Sequence, residues 1–199
     1  MPAAGHGPEG PEPGSAVVPV ACSLGAHSEG AWRLPILWAT HASAVTAGDD
    51  GRMDYKVSLA DVKSRRTAVV AATTTWQEFP ALWGRLLGEV WDCLHAGGIY
   101  RGCRNVMLYL NSVPNVEVGV LLDQPCPLTG RVAASALPAG TAAMTVHRGP
   151  FGGLGAAHDA VLHWCATHGH QPNGTRWEIY GPHNDDPAQQ WTEVYWLLS

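Results

Sequence analysis

Glu178 stands in the middle of GTRWEIYG (174–181), among Trp177, Ile179 and Tyr180, the aromatic and β-branched types that strands favour. A carboxylate in such a run either lies on a wetted face or sits in a pocket where its charge has a task. Strand alternation puts it on the same side as Tyr180. Sorting the other strands in the same way adds Met107 and Tyr109 from NVMLYL (105–110), Glu117 and Gly119 from VEVGVLL (116–122), and Glu193 and Tyr195 from TEVYWLL (192–198). Aromatic faces attract cations, methionine adapts to irregular shapes, and a carboxylate in a lowered dielectric supplies counter-charge. The chemistry this set suggests is capture of a small, flat, apolar or cationic molecule. Glu117 and Glu193, near strand starts, read as solvated; Glu178, at mid-strand, reads as functional.

Other clusters carry less. His158, His163, Cys165, His168 and His170 crowd one helix and its exit, but the five-residue spacings from His158 to His163 and from His163 to His168 do not share a helix face. They read as solvated histidines, and neither a metal nor a cofactor is expected. Cys165 points toward a core and reads as a structural thiol. Trp76, Trp83 and Trp91 have helical spacing and read mainly as core, with Trp83 the one assigned to the ligand. The GGLG at 152–155 is followed by no Lys-Ser/Thr and is not a phosphate loop.

The elements that must position Glu178 can be read twice in one order. The first half gives YKVSLADV (55–62), a short polar turn, TAVVAATTT (67–75), a helix from about Trp76 to His95, and strands 105–110 and 116–122. Leu82, Leu86, Val90 and Leu94 are four apart, Thr75 with Glu78 resembles a capping box, and Gly97-Gly98 ends the helix. The second half gives RVAASAL (131–137), the turn Pro138-Ala139-Gly140, TAAMTVH (141–147), a helix Phe151–His168 ended by Gly169, and strands 175–181 and 192–198. EVGVLL (117–122) and EVYWLL (193–198) agree at four of six positions. The expected fold is α+β: a tandem repeat in which each half runs hairpin, helix, hairpin. Its mainly antiparallel sheet has both helices on one face and leaves the other face to a ligand. Val106, Leu108, Trp177, Ile179, Val194 and Trp196 are expected under the helices, with Glu178 and its set on the uncovered face.

Composition bounds the rest. The 199 residues carry a net charge of −5 and are 46% hydrophobic and 15% charged, enough for one core and too poor in basic residues for a nucleic-acid footprint. Five cysteines without a CxxC pair suit free thiols in a reducing compartment, and with no leader pattern and no membrane-length apolar run the expected location is the cytoplasm. Residues 1–52 are rich in Gly, Pro and Ala, hold two basic residues and lack any helical or strand period, so they read as a disordered extension. Regular structure begins at MDYKVSL, which makes Met53 a candidate translation start and 53–199 the folded domain.

LPAGTAAMTVHRGPFGGLGAAHDAVLHWCATHG (137–169) followed by GTRWEIYGPHNDDPAQQWTEVYWLL (174–198) resembles the GyrI-like small-molecule-binding domains, also called AraC-type effector-binding domains. WQEFPALWGRLLGEVWDCL (76–94) and RNVMLY (104–109) extend the resemblance over residues 54–198. It implies tandem strand–helix–strand–strand units enclosing a cleft, with the Glu of the penultimate strand, Glu178 here, inside it. The aromatic after His-x-Gly-Pro, often Tyr in the family, is Phe151. Many relatives carry a helix-turn-helix DNA reader, and no such pattern occurs in 1–52. The resemblance therefore implies a stand-alone binder of drug-like molecules or metabolites, with Glu178, Tyr180, Tyr109, Met107, Tyr195, Phe151 and Trp83 as ligand contacts. It also allows a hydrolase opening the cyclopropane of DNA-alkylating natural products, Glu178 activating water and Tyr109 or Tyr180 steadying the developing negative charge. A third reading is an inhibitor of a protein partner such as DNA gyrase.

Overall fold

The computed structural model describes residues 54–112 and 114–199. The expectations of a disordered extension over 1–52 and of a start at Met53 lie outside the described residues. The elements in chain order are β1 (Ser58–Val62), β2 (Arg65–Thr73), α1 (Phe79–Ala96), β3 (Asn105–Tyr109), β4 (Asn115–Leu121), β5 (Ala133–Leu137), β6 (Gly140–Arg148), α2 (Leu154–His168), β7 (Pro172–Tyr180) and β8 (Trp191–Leu198). Each half runs strand, strand, helix, strand, strand. All eight strands form one antiparallel sheet in the order β1-β6-β8-β7-β3-β4-β2-β5, and the fold is α+β as expected.

Helix boundaries follow local chemistry. Thr75 does bond Glu78, its hydroxyl accepting from the Glu78 N–H at 3.2 Å and donating to the Glu78 carboxylate at 3.0 Å, but this caps a turn ahead of the helix. α1 proper begins at Phe79, with Pro80 in its first turn, where a missing N–H costs nothing. α2 ends at Gly169, whose φ of 73° suits glycine and lets its N–H cap the carbonyl of Cys165.

The expected opening hairpins do not form. β1 pairs with β6 and β2 pairs with β5, so each half places its first strand beside the other half's second. The stagger that sets Val62 opposite Gly140 continues past the bend to set Arg65 opposite Leu137, making one ladder kinked between Lys63-Ser64 and Pro138-Ala139. A two-residue hairpin needs left-handed residues such as Asn-Gly, and neither pair supplies them. Because β1 lies at one end of the sheet order and β2 next to the other, with two residues between them, the sheet curls until its ends approach. Gly119 permits part of this curl: a Cβ there would lie 1.9 Å from the carbonyl oxygen of Ala68.

Residues are assigned to faces differently from the expectation. The main core joins Leu86, Leu87, Val90 and Leu94 of α1 and Leu154, Ala157, Val161 and Cys165 of α2 to Met107, Tyr109, Val118, Tyr180, Val194 and Trp196 of the sheet. Glu178 is therefore on the helix-covered face. Val106, Leu108, Trp177 and Ile179 lie on the other side in a second, smaller core with Leu121, Leu137 and Ala142. Within each strand the alternation holds, but the phase between strands does not. Glu178 pairs with Val194 and Met107 with Val118, so these cross-strand neighbours share a face. The bent outer strands shield the far face with apolar residues, which made both faces of β3 and β7 look like core.

Candidate functional site

β7 lies at the centre of the sheet, between β3 and β8, and presents Arg176, Glu178 and Tyr180 in a row toward the helices. Glu178 is 4% exposed. Its Oε1 accepts a hydrogen bond from His158 Nε2 of α2 at 2.8 Å and a longer one from the Tyr109 hydroxyl at 3.4 Å. Its Oε2 accepts from the Tyr180 hydroxyl. The indole N–H of Trp196 donates to His158 Nδ1 at 3.0 Å. An indole nitrogen can only donate, so Nδ1 is an acceptor and the imidazole proton sits on Nε2. The chain Trp196, His158, Glu178, Tyr180 is thus ordered in donor direction from both ends toward the carboxylate.

Electrostatics follow from this packing. Burial alone would raise the Glu178 carboxyl, but its interactions with His158, both hydrogen bond and electrostatic, then the hydrogen bond from Tyr180 and the charge of Arg176, outweigh it and hold the group below its ordinary value. Burial, and then the neighbouring Glu178 charge, push the Tyr109 and Tyr180 phenols well above theirs. Arg176 is itself buried, with its guanidinium 4.5 Å from the ring centre of Tyr109, 4.9 Å from Trp196 and 5.4 Å from Trp76. These distances are within cation–π range. An apolar surround that raises Glu178 into the range of a general base, the condition that favours water activation, is not what the structure provides.

A pocket opens beyond Tyr180. It is lined by Trp83, Asn105, Phe151, Tyr180, the Gly181–Asn184 turn, Gln190 and Trp191, with about 160 Å³ of space. Drug-sized sites run to roughly 300–1,000 Å³, so this one suits one or two fused rings. Trp83 comes from the first turns of α1 and Phe151 from the short 3₁₀ turn ahead of α2; their ring centres lie 6.2 and 5.4 Å from that of Tyr180. Gly181 makes room for the far wall, since a Cβ there would lie 2.6 Å from the Trp191 indole. Thr192, opposite Tyr180 in the β7–β8 ladder, is fully buried, and its hydroxyl has no partner among the described residues.

Of the residues singled out from the sequence, the structure brings Trp83, Phe151 and Tyr180 together at the pocket wall. Glu178 and Tyr109 lie behind that wall, and Met107 sits across the ladder from Glu178 in the core. Tyr195 is not part of this cluster: it stacks on Trp177 on the far face, ring centres 5.1 Å apart, and donates to Glu193 at 2.9 Å. Glu193 also accepts from Arg104 at 3.1 Å, and Glu117 accepts from Ser135 at 2.7 Å, so both carboxylates have structural partners. His158 is not a solvated helix histidine. With Leu154, Ala157, Val161 and Cys165 it completes the buried stripe of α2, and that spacing was the signal that could have placed it. Arg176 was also missed, although alternation puts it on the face of Glu178. Among the described residues no group of His, Cys, Asp and Glu is arranged to hold a metal, and no helix is long and apolar enough to cross a membrane.

A sequence model of the GyrI-like small molecule binding domain matches residues 55–198, most of the chain. No curated protein matches it. Among solved structures, the chain is similar to EcmrR in its DNA complex (18% identity, TM-score 0.59), covering 73% of this chain and 57% of that one. It is similar to the EcmrR C-terminal domain alone (16% identity, TM-score 0.55), covering 74% of this chain and 99% of that domain. An integron cassette protein from the mobile metagenome of Vibrio cholerae gives 12% identity and a TM-score of 0.51, with 73% and 97% covered. At these identities the likenesses show the fold alone. The chain thus spans little more than half of EcmrR as seen with DNA.

Proposed function

The chain belongs to the GyrI-like small-molecule-binding family, and we propose that it binds a small, flat, largely apolar molecule against Trp83, Phe151 and Tyr180. The observation that carries this reading is the double role of Tyr180. Its ring forms a wall of the pocket while its hydroxyl is anchored on the buried carboxylate of Glu178. A tyrosine held at both ends presents a rigid aromatic face at low entropic cost, and Trp83 and Phe151 supply further aromatic surface beside it. Glu178 acts from behind, fixing the wall rather than touching the ligand. Asn105, Asn184 and Gln190 supply neutral hydrogen-bonding groups at the rim.

Hydrolysis is the weaker reading. A carboxylate that already accepts from His158, Tyr180 and Tyr109, and is held below its ordinary value, is poorly placed to take a proton from water. The test of the binding reading is titration of the intrinsic tryptophan fluorescence with bicyclic aromatics, because Trp83 and Trp191 line the pocket. Saturable quenching that Trp83→Ala weakens by about tenfold supports it. Quenching that is linear, or indifferent to Trp83, removes the pocket as the binding site.

A further inference from the structure

Three aromatic rings around a cation, with a carboxylate beside them, make a cation receptor. Here the receptor is full. The guanidinium of Arg176 lies within 5.4 Å of the ring centres of Tyr109, Trp196 and Trp76, and Glu178 is the next residue on the same face of β7, about 7 Å along the strand. The pair carries no net charge. Glu178 is further committed to His158, Tyr180 and Tyr109, and Trp196 takes the other ring nitrogen of His158. None of the described residues lining the pocket beyond Tyr180 is acidic. A cation entering there would lose hydration, and the carboxylate bonded to the lining His183, that of Asp185, is fully solvent-exposed and so screened.

We propose that Arg176 is the specificity-determining residue of this site: as the resident cation of the aromatic box, it restricts the ligands bound at Tyr180 to neutral molecules. The expectation of cationic ligands rested on aromatic faces together with the Glu178 charge, and Arg176 already engages both. This inference rests on the binding reading above, but the box itself can be tested separately.

Two arms separate them. In the first, methylguanidinium is added to wild type, Arg176→Ala and the double variant Arg176→Ala/Glu178→Gln, and melting temperature is read. The box predicts a saturable rise for Arg176→Ala only. No rise, or an equal rise in all three, overturns the box. In the second arm, 1-methylnaphthalene and its cationic isostere N-methylquinolinium are titrated by tryptophan fluorescence. Wild type is expected to hold the neutral compound at least about tenfold more tightly. The gap closes in Arg176→Ala, where the Glu178 charge is unbalanced, and returns in the double variant, which has no charge to balance and guards against misfolding of the single one. Equal affinities in wild type, or a gap that Arg176→Ala leaves unchanged, overturn the selectivity while leaving the binding reading in place. Binding of neither probe to wild type overturns the binding reading and the selectivity with it, whatever the first arm shows of the box.

Discussion

Trp196 donates its indole N–H to His158 Nδ1 at 3.0 Å, and this contact decides where the imidazole proton is. With Nδ1 taken, the proton on Nε2 points at Glu178, and the buried carboxylate gains a charge-assisted hydrogen bond. A β8 residue thereby sets the state of an α2 side chain that holds a β7 carboxylate.

The first expected outcome concerns that proton. Long-range ¹H–¹⁵N spectra should show His158 as the single Nε2–H tautomer in the wild type. Trp196→Phe should give mixed tautomers and lower stability by about 1–3 kcal/mol, the cost of a buried acceptor left without a donor. A pure Nδ1–H signal in the wild type would contradict the assigned direction of the network.

On a wetted face Glu178→Gln would be nearly neutral. In this structure it weakens the hydrogen bonds that the buried carboxylate accepts from His158 and Tyr180 and removes a charge that faces Arg176, and a loss of about 3 kcal/mol is expected at pH 7. The pH dependence has a definite sign. The folded carboxyl lies below its ordinary value of 4.5, so its contribution is complete above that pH and drains away as pH falls below it. Urea midpoints of wild type and Glu178→Gln should therefore differ by a constant amount from pH 6 to 8 and converge in acid. A difference that grows as pH falls would mean a raised carboxyl instead.

Much of this architecture was legible from residue patterns, and the remainder was hidden for physical reasons. Hydrophobic spacing located both helices, Gly169 marked the end of α2, and the alternation of Arg176, Glu178 and Tyr180 was correct within β7. Alternation is silent, however, about which face of a strand meets the helices when both faces are apolar. Trp177 and Ile179 are as buried on their side as Met107 and Tyr109 are on theirs, so the faces were inverted. Pairing was hidden for a different reason: Lys63-Ser64 and Pro138-Ala139 are as short as hairpin turns, and only their lack of left-handed residues distinguishes a bend from a hairpin. Histidine-to-histidine spacing makes His158 look solvated, while its place at i+4 from Leu154 and i−3 from Val161 puts it on the buried stripe of α2.

The curl of the sheet gives a sharper expectation. At Gly119 a methyl group would meet the main chain of β2, which no rotamer change relieves. Gly119→Ala should cost about 3 kcal/mol or more, measured by chemical denaturation. Unchanged stability would mean that β2 and β4 do not approach this closely.

Thr67 is 1% exposed, and its hydroxyl has no partner among the described residues. Thr67→Val keeps the shape and the β-branch and removes a buried polar atom. It should raise stability by about 1 kcal/mol, or a few degrees in Tm. A lower Tm would reveal a hydrogen bond to that hydroxyl.

The central claim is that Tyr180, braced by Glu178, forms the wall of a ligand pocket with Trp83 and Phe151. Titrating 1-methylnaphthalene into wild type, Trp83→Ala and Tyr180→Phe by fluorescence tests it most directly. Tyr180→Phe keeps the ring and removes the brace. The account predicts saturable binding to wild type, weakened by about tenfold in Trp83→Ala and by a smaller factor in Tyr180→Phe. Binding of equal strength in all three proteins would contradict it.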